Sequence, residues 1–97
     1  MGKLEFGTYD NFAVYEMQTS QIAADVYEQH IQEVRLAEEL GYSYYFIIEH
    51  QNSDVGQITA PSVYLSAVAQ RTSRIRFGTM IYQLPFYNPM RLAEDTV

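Results

Sequence analysis

The hydrophobic period of this chain switches from about two residues to about 3.6 and back again, in an order that few folds accommodate. From Leu4 to Tyr9, the residues Leu4, Phe6 and Thr8 alternate with Glu5, Gly7 and Tyr9, the period of a strand, and Asp10-Asn11 follows as a turn signal. Phe12 to Ala24 has no clean period and reads as a long connection with a helical turn near Ile22. Asp25 with Glu28 three residues on resembles a capping box; Tyr27, Ile31, Val34, Ala37 and Leu40 then recur at helical spacing until Gly41 offers a C-terminal cap. Ser43 to Ile48 is an unbroken apolar and aromatic run, the pattern of a parallel strand covered on both faces.

A polar loop from Gln51 to Thr59 precedes Pro61, which can open a second helix running to Arg71 with Leu65, Val68 and Ala69 toward the core. Arg74 to Tyr82 alternates again, with Ile75, Phe77, Thr79 and Ile81 on one side. Leu84-Pro85 breaks that strand, and Asn88-Pro89 supplies an N-cap and first-turn pair for a third helix from Met90 to Val97. Strands alternating with helices in this way require right-handed crossovers and a parallel sheet, so the fold class is α/β. Three parallel strands leave open edges, and the third helix has no C-terminal cap. The 97 residues therefore read as the start of a longer β/α protein rather than as a complete small domain.

Charge and composition exclude several function classes. Twelve carboxylates against six Lys and Arg give a net charge of −6, which argues against nucleic-acid binding. Arg71, Arg74 and Arg76 cluster where a helix end runs into a strand, and there they compensate the helix dipole. The absence of cysteine removes disulfides, thiolate nucleophiles and Cys-type metal sites, and fits a reducing cytoplasm. No apolar run approaches the roughly 18 residues of a membrane span. Neither a G-x-G-x-x-G nor a Walker pattern is present, and there is no G-x-S-x-G elbow. His30, in the middle of the first long helix, reads as a solvated surface residue, and the two histidines have no third partner at metal-ligand spacing.

Glu49 and His50 end the second strand, the edge at which parallel α/β sheets bind their ligands. Two readings of the pair stay open on spacing alone. In one, His50 exchanges protons near neutral pH while Glu49 anchors a loop or a ligand. In the other, Glu49 pairs with a loop backbone and His50 is an ordinary loop residue. Thr79-Met80-Ile81 ends the third strand before Leu84-Pro85, where backbone groups could approach a flat ring, although such residues are usually core. Tyr9 and Asn11 would face the same opening, with packing or turn formation as their default role.

Taken together and in order, Ala37-Glu38-Glu39-Leu40-Gly41-Tyr42, Glu49-His50, Arg74-Ile75-Arg76-Phe77-Gly78-Thr79, Leu84-Pro85, Pro89 and Arg91-Leu92-Ala93-Glu94-Asp95 resemble the luciferase-like family of flavin-dependent oxidoreductases. That resemblance implies a (β/α)₈ TIM barrel, incomplete in this chain, with residues 1–97 forming about the first three β/α units of its single domain. It implies that His50 is catalytic beside a reduced flavin mononucleotide (FMN) and that Glu49, Thr79, Met80 and Ile81 belong to the cofactor site. It also implies a non-prolyl cis bond at Met80-Ile81. A second histidine is common where this chain has Gln51, and an amide cannot relay a proton. The phosphate-binding loops of such barrels follow strands seven and eight, so the 97 residues alone are expected to bind flavin weakly.

The leading expectation is a monooxygenase using reduced FMN and O2 on a small organic substrate, a homo- or heterodimer in its full-length form. Alternatives are a deazaflavin-dependent hydride-transfer enzyme, a non-catalytic truncated subunit, or a small independent α/β module without a cofactor.

Overall fold

A computed structural model of the chain describes residues 2–19, 23–53 and 57–96. Three short strands, β1 (Gly7–Asp10), β2 (Tyr44–Ile47) and β3 (Arg76–Thr79), alternate with helices α1 (Val14–Thr19), α2 (Ala23–Glu39), α3 (Pro61–Ala69) and α4 (Pro89–Asp95). A 3₁₀ turn, Leu84–Phe86, precedes α4. The strands form one sheet in chain order, and both pairs are parallel. β2 and β3 are shorter at both ends than the sequence period predicts, whereas β1 begins only at Gly7 and takes in Asp10, which the sequence assigned to a turn.

Register decides which side chains meet the helices. Thr8, Tyr45 and Phe77 stand in one row, and Asp10, Ile47 and Thr79 in the next. Tyr45 and Ile47 are buried, whereas their neighbours Tyr44 and Phe46 are half-buried, so the helices cover the Tyr45–Ile47 side. The other side carries Gly7, Tyr44 and Arg76 in one row and Tyr9, Phe46 and Gly78 in the next. There the Arg76 guanidinium lies 4.3 Å from the Tyr44 ring centre and 3.5 Å from Glu5. A Cβ at Gly7 would come within 3.0 Å of the Tyr44 Cβ, which is why this row has a glycine beside a tyrosine.

The core is one cluster between sheet and helices, including Phe12, Val26, Ile31, Val34, Ile47, Tyr64 and Val68. Each such side chain contributes about 1.5–3 kcal/mol on burial. On α2 the buried stripe is Val26, His30, Ile31 and Val34, with Tyr27 and Ala37 half-buried beside it. Leu40, expected in that stripe, is 69% exposed because the helix has already ended. A Schellman motif ends it: Gly41 at φ +90 donates to the Glu38 carbonyl and Tyr42 donates to that of Ala37. Asp25 lies inside the first turn of α2 rather than at its cap.

The connection from Phe12 to Ala24 contains α1, a helix too short at 6 residues to show a period. Its start is held by Glu16, whose carboxylate accepts the Ala13 N–H at 2.7 Å. The helical turn expected near Ile22 falls outside the described residues. α3 ends before Arg71, and Ala69 is exposed rather than in the core. The Asn88-Pro89 start of α4 forms as its sequence predicts, with the Asn88 side chain accepting from Met90 and Arg91 N–H groups.

Glu38 joins the end of α2 to the start of β3. One carboxylate oxygen accepts the N–H groups of Ser73 at 2.9 Å, Arg74, and Ile75 at 2.8 Å. The Ile75 N–H first, then that of Arg74, hold the Glu38 carboxyl below its usual range. Glu38→Ala should therefore destabilise the chain by about 2 kcal/mol in urea unfolding at neutral pH. Because the folded pKa is depressed, this contribution is present above about pH 4.3 and fades as pH falls through the folded value, where variant and parent should converge.

Candidate functional site

The C-terminal ends of the three strands bring together two polar clusters, one on the helix side and one that closes over the strand tips. The first begins at Asp10, the last residue of β1. Its carboxylate accepts from His30 Nδ1 at 2.8 Å and from the Tyr45 hydroxyl at 2.6 Å. Tyr45 has a single hydroxyl proton and spends it on Asp10, so Tyr64, 3.0 Å away, donates to Tyr45. The other ring nitrogen of His30 lies 3.3 Å from Glu16, and Phe12 stacks on the imidazole with ring centres 3.8 Å apart.

His30 is only 4% exposed and is not the solvated surface residue its sequence context suggests. Burial pulls its pKa down, but the Asp10 hydrogen bond and the charges of Asp10, Glu16 and Glu33 outweigh that and leave it raised. With a carboxylate at each ring nitrogen, the imidazolium form is the one the site fits. Burial, then Tyr64 and Asp10, push the Tyr45 phenol up, and burial does the same for Tyr64. Both phenols therefore act as hydrogen-bond donors here and not as bases.

The second cluster centres on Glu49. The buried alternation of β2 runs on past the strand, so Tyr45, Ile47 and Glu49 are 2%, 0% and 4% exposed while Ile48 and His50 are half-buried. Glu49 Oε1 accepts from the Gln51 side chain at 2.8 Å, and Oε2 accepts the Gln83 backbone N–H at 2.9 Å. The Gln51 amide also donates to the Thr59 carbonyl at 2.8 Å, folding the loop after β2 back on itself. His50 is fixed through its main chain, which donates to the Ile58 carbonyl at 3.0 Å.

Across from it, the Met80 N–H donates to the Ile47 carbonyl at 2.8 Å and ends the sheet ladder. The Met80-Ile81 peptide bond is cis, as the family resemblance implied. Met80 and Ile81 are 53% and 71% exposed, an open apolar edge beside His50's strand end. Thr79 shares the helix-side row of Ile47, so its side chain belongs to that face and its backbone to the strand tip. With Ser62, Leu65, Tyr82 and Thr96 it lines a cleft of about 460 Å³ between α3, β3 and α4, which none of Glu49, His50, Met80 and Ile81 borders. Tyr9 stays on the inner face, the side of the sheet away from the helices, and is 56% exposed.

The sequence reading placed Glu49, His50, Thr79, Met80 and Ile81 at strand ends, and the fold brings these ends side by side. It missed the Asp10–His30 pair and Gln83. A histidine on a helix twenty residues from a strand-end aspartate was the available signal for the first. Gln83 carries no local motif.

Residues 4–97 match the family described as luciferase-like monooxygenase. The chain is 27% identical over 96 residues to limonene 1,2-monooxygenase of Rhodococcus erythropolis, covering 99% of this chain and 24% of that protein. To N-acetyl-S-alkylcysteine monooxygenase of Bacillus subtilis it is 32% identical over 75 residues, covering 77% of this chain and 22% of that one. Among solved structures it matches, with a TM-score of 0.79 and 27% identity, the oxygenating constituent of 3,6-diketocamphane monooxygenase from Pseudomonas putida, a type II Baeyer-Villiger monooxygenase in complex with FMN. That match covers 96% of this chain and 25% of the other. The chain thus spans about a quarter of the length of the relatives it matches, and its parallel sheet corresponds to part of a luciferase-like TIM barrel. Among the described residues, no helix is long and apolar enough to cross a membrane.

A raised histidine pKa gives stability that is complete below the unfolded value of about 6.5 and is lost as pH rises through the folded value. The unfolding free energy of the chain should therefore decline as pH rises above 6.5 through the folded value. His30→Gln should flatten that decline in urea titrations at several pH values; an unchanged slope would exclude the Asp10–His30 pair as its source.

Proposed function

Since the chain belongs to the luciferase-like monooxygenase family, we propose that the protein is a flavin-dependent monooxygenase that uses reduced FMN and O2 on a small organic substrate. The observation that supports this most is the joint placement of His50 and the Met80-Ile81 segment at neighbouring strand tips, with apolar side chains exposed on one side. Parallel α/β sheets hold their ligands at this edge.

The residues fit the ring system of a flavin. Met80 and Ile81 offer an apolar edge, Thr79 to Ile81 bring main-chain groups to it, and Phe46 lies on the inner face below. They do not supply a cation for the phosphate: Arg91 sits 3.1 Å from Asp95 and 3.9 Å from Glu94. Arg74 and Arg76 lie at the opposite, N-terminal end of β3.

Bound there, a reduced flavin supplies the electrons for oxygen activation. The protein's own contribution is placement and proton handling. Thr79, Met80 and Ile81 would hold the ring, with Glu49 as a buried member of the wall. His50, displayed on the inner side by the alternation that buries Glu49, would hold and return a proton at its imidazole. Gln51, an amide already donating twice within the loop, cannot share that task.

His50→Ala in the whole protein should lower turnover by a factor on the order of 10² while leaving the thermal unfolding midpoint in place. Turnover equal to the parent would remove His50 from the chemistry.

A further inference from the structure

Only two buried polar or charged side chains stand out among the described residues, His30 and Glu49. His30 is accounted for by the carboxylates around it. Glu49 does something different: its hydrogen bonds join two loops that follow neighbouring strands.

Glu49 and Gln83 are paired twice. The Gln83 main-chain N–H donates to Glu49 Oε2 at 2.9 Å, and the Gln83 side-chain amide donates to the Glu49 main-chain carbonyl at 2.7 Å. Each residue thus uses both its backbone and its side chain on the other. The sheet ladder has ended at the bond from Met80 N–H to the Ile47 carbonyl. Past that point, these two bonds keep the segment after β2 beside the segment after β3. The remaining carboxylate oxygen of Glu49 takes the Gln51 amide, which reaches on to Thr59. Burial first, and then the neighbouring Glu49 carboxylate, raise the pKa of the Tyr87 phenol.

We propose that Gln83 is a positioning residue of the flavin site, closing with Glu49 a reciprocal pair of hydrogen bonds that sets the separation between His50 and the Met80-Ile81 wall. This rests on the flavin reading above. The parity of the chain makes the link direct. Glu49 is buried and takes the bonds, and the next residue, His50, stands half-buried on the alternate position. On the partner segment, Gln83 lies two residues past Ile81. Any change in the Glu49–Gln83 pair therefore moves His50 and the ring wall relative to each other.

The pair is also chemically selective. A carboxylate only accepts, which suits two N–H donors from Gln51 and Gln83. An amide at position 49 keeps the shape but turns an NH2 group toward one of those donors. A carboxylate at position 83 sets two acceptors face to face across the 2.7 Å contact.

The test uses the whole protein and reads three quantities: the FMN dissociation constant from fluorescence quenching, the visible spectrum of bound flavin, and kcat and KM separately. Gln83→Ala and Glu49→Gln should each weaken FMN binding about tenfold, shift the bound spectrum toward that of free FMN, and lower kcat more than they raise KM. The double variant should lose less than the sum of the two single losses, because the two bonds hold the same two segments together. Glu38→Ala, which loosens the sheet at the opposite strand ends, should lower the unfolding midpoint and leave the flavin spectrum alone. Parent-like FMN affinity and spectrum in Gln83→Ala and Glu49→Gln, or an equal spectral shift in Glu38→Ala, overturns the proposal. A parent protein that fails to bind FMN at all overturns the flavin reading with it, and is distinguished by that fact from unresponsive variants of a protein that binds.

Discussion

The carboxylate of Asp10 ties α2 and α3 to this sheet through directional bonds. It accepts from His30 on α2 and from Tyr45 on β2, and Tyr45 in turn accepts from Tyr64 on α3. The apolar cluster around it supplies far more stabilisation, since each of its members contributes about 1.5–3 kcal/mol. Apolar contact is not directional, however, and by itself would tolerate a helix shifted along its axis. The polar chain tolerates one placement, because a shifted α2 would bury an imidazole and a carboxylate without partners. Breaking a buried pair of this kind costs more than forming it gains. The node thus acts as a locating pin within a core that is held together by other forces.

Two further carboxylates treat β3 in the same way at its two ends. Glu38 accepts from the N–H groups of residues 73–75 before the strand, and Glu49 accepts from Gln83 after it. Between them lie only four residues of ladder. Parallel β/α proteins divide labour along the strands, with stability at the N-terminal side and chemistry at the C-terminal side. The two glutamates follow that division: one closes a helix-to-strand turn, the other stands next to His50.

What was legible in the sequence was whatever depends on near neighbours. The periods of β1, α2, β2, α3 and β3, the αL glycine at Gly41 and the Asn88-Pro89 helix start are all set within one or two turns of chain, and these elements formed, with β2, β3 and α3 shorter than expected and Asp10 drawn into β1. The glutamate and histidine after β2 were placed at its end by position, since strand ends are readable once strands are. The rest depended on pairs far apart. His30 looks like a surface residue until Asp10, twenty residues away, is placed beside it. Gln83 is anonymous until Glu49 reaches it across 34 positions. α1 escaped because six residues are fewer than two helical turns, and Leu40 misled because the apolar spacing continued one step beyond the point where Gly41 turned the chain.

The stop at Gly41 has a consequence that reaches the far end of β2. A strand has two sides and no intermediate, so the count of residues between the helix end and the first ladder pair is odd or even and nothing else. From Gly41 to Tyr44 that count turns Tyr45 and Ile47 toward the helices, buries Glu49 after them, and leaves Tyr44, Phe46 and His50 half-buried on the alternate positions. One residue inserted or lost there would exchange the two sets, sending Glu49 to the open face and His50 into the core. A single left-handed glycine nine residues upstream therefore acts as the parity bit of the site.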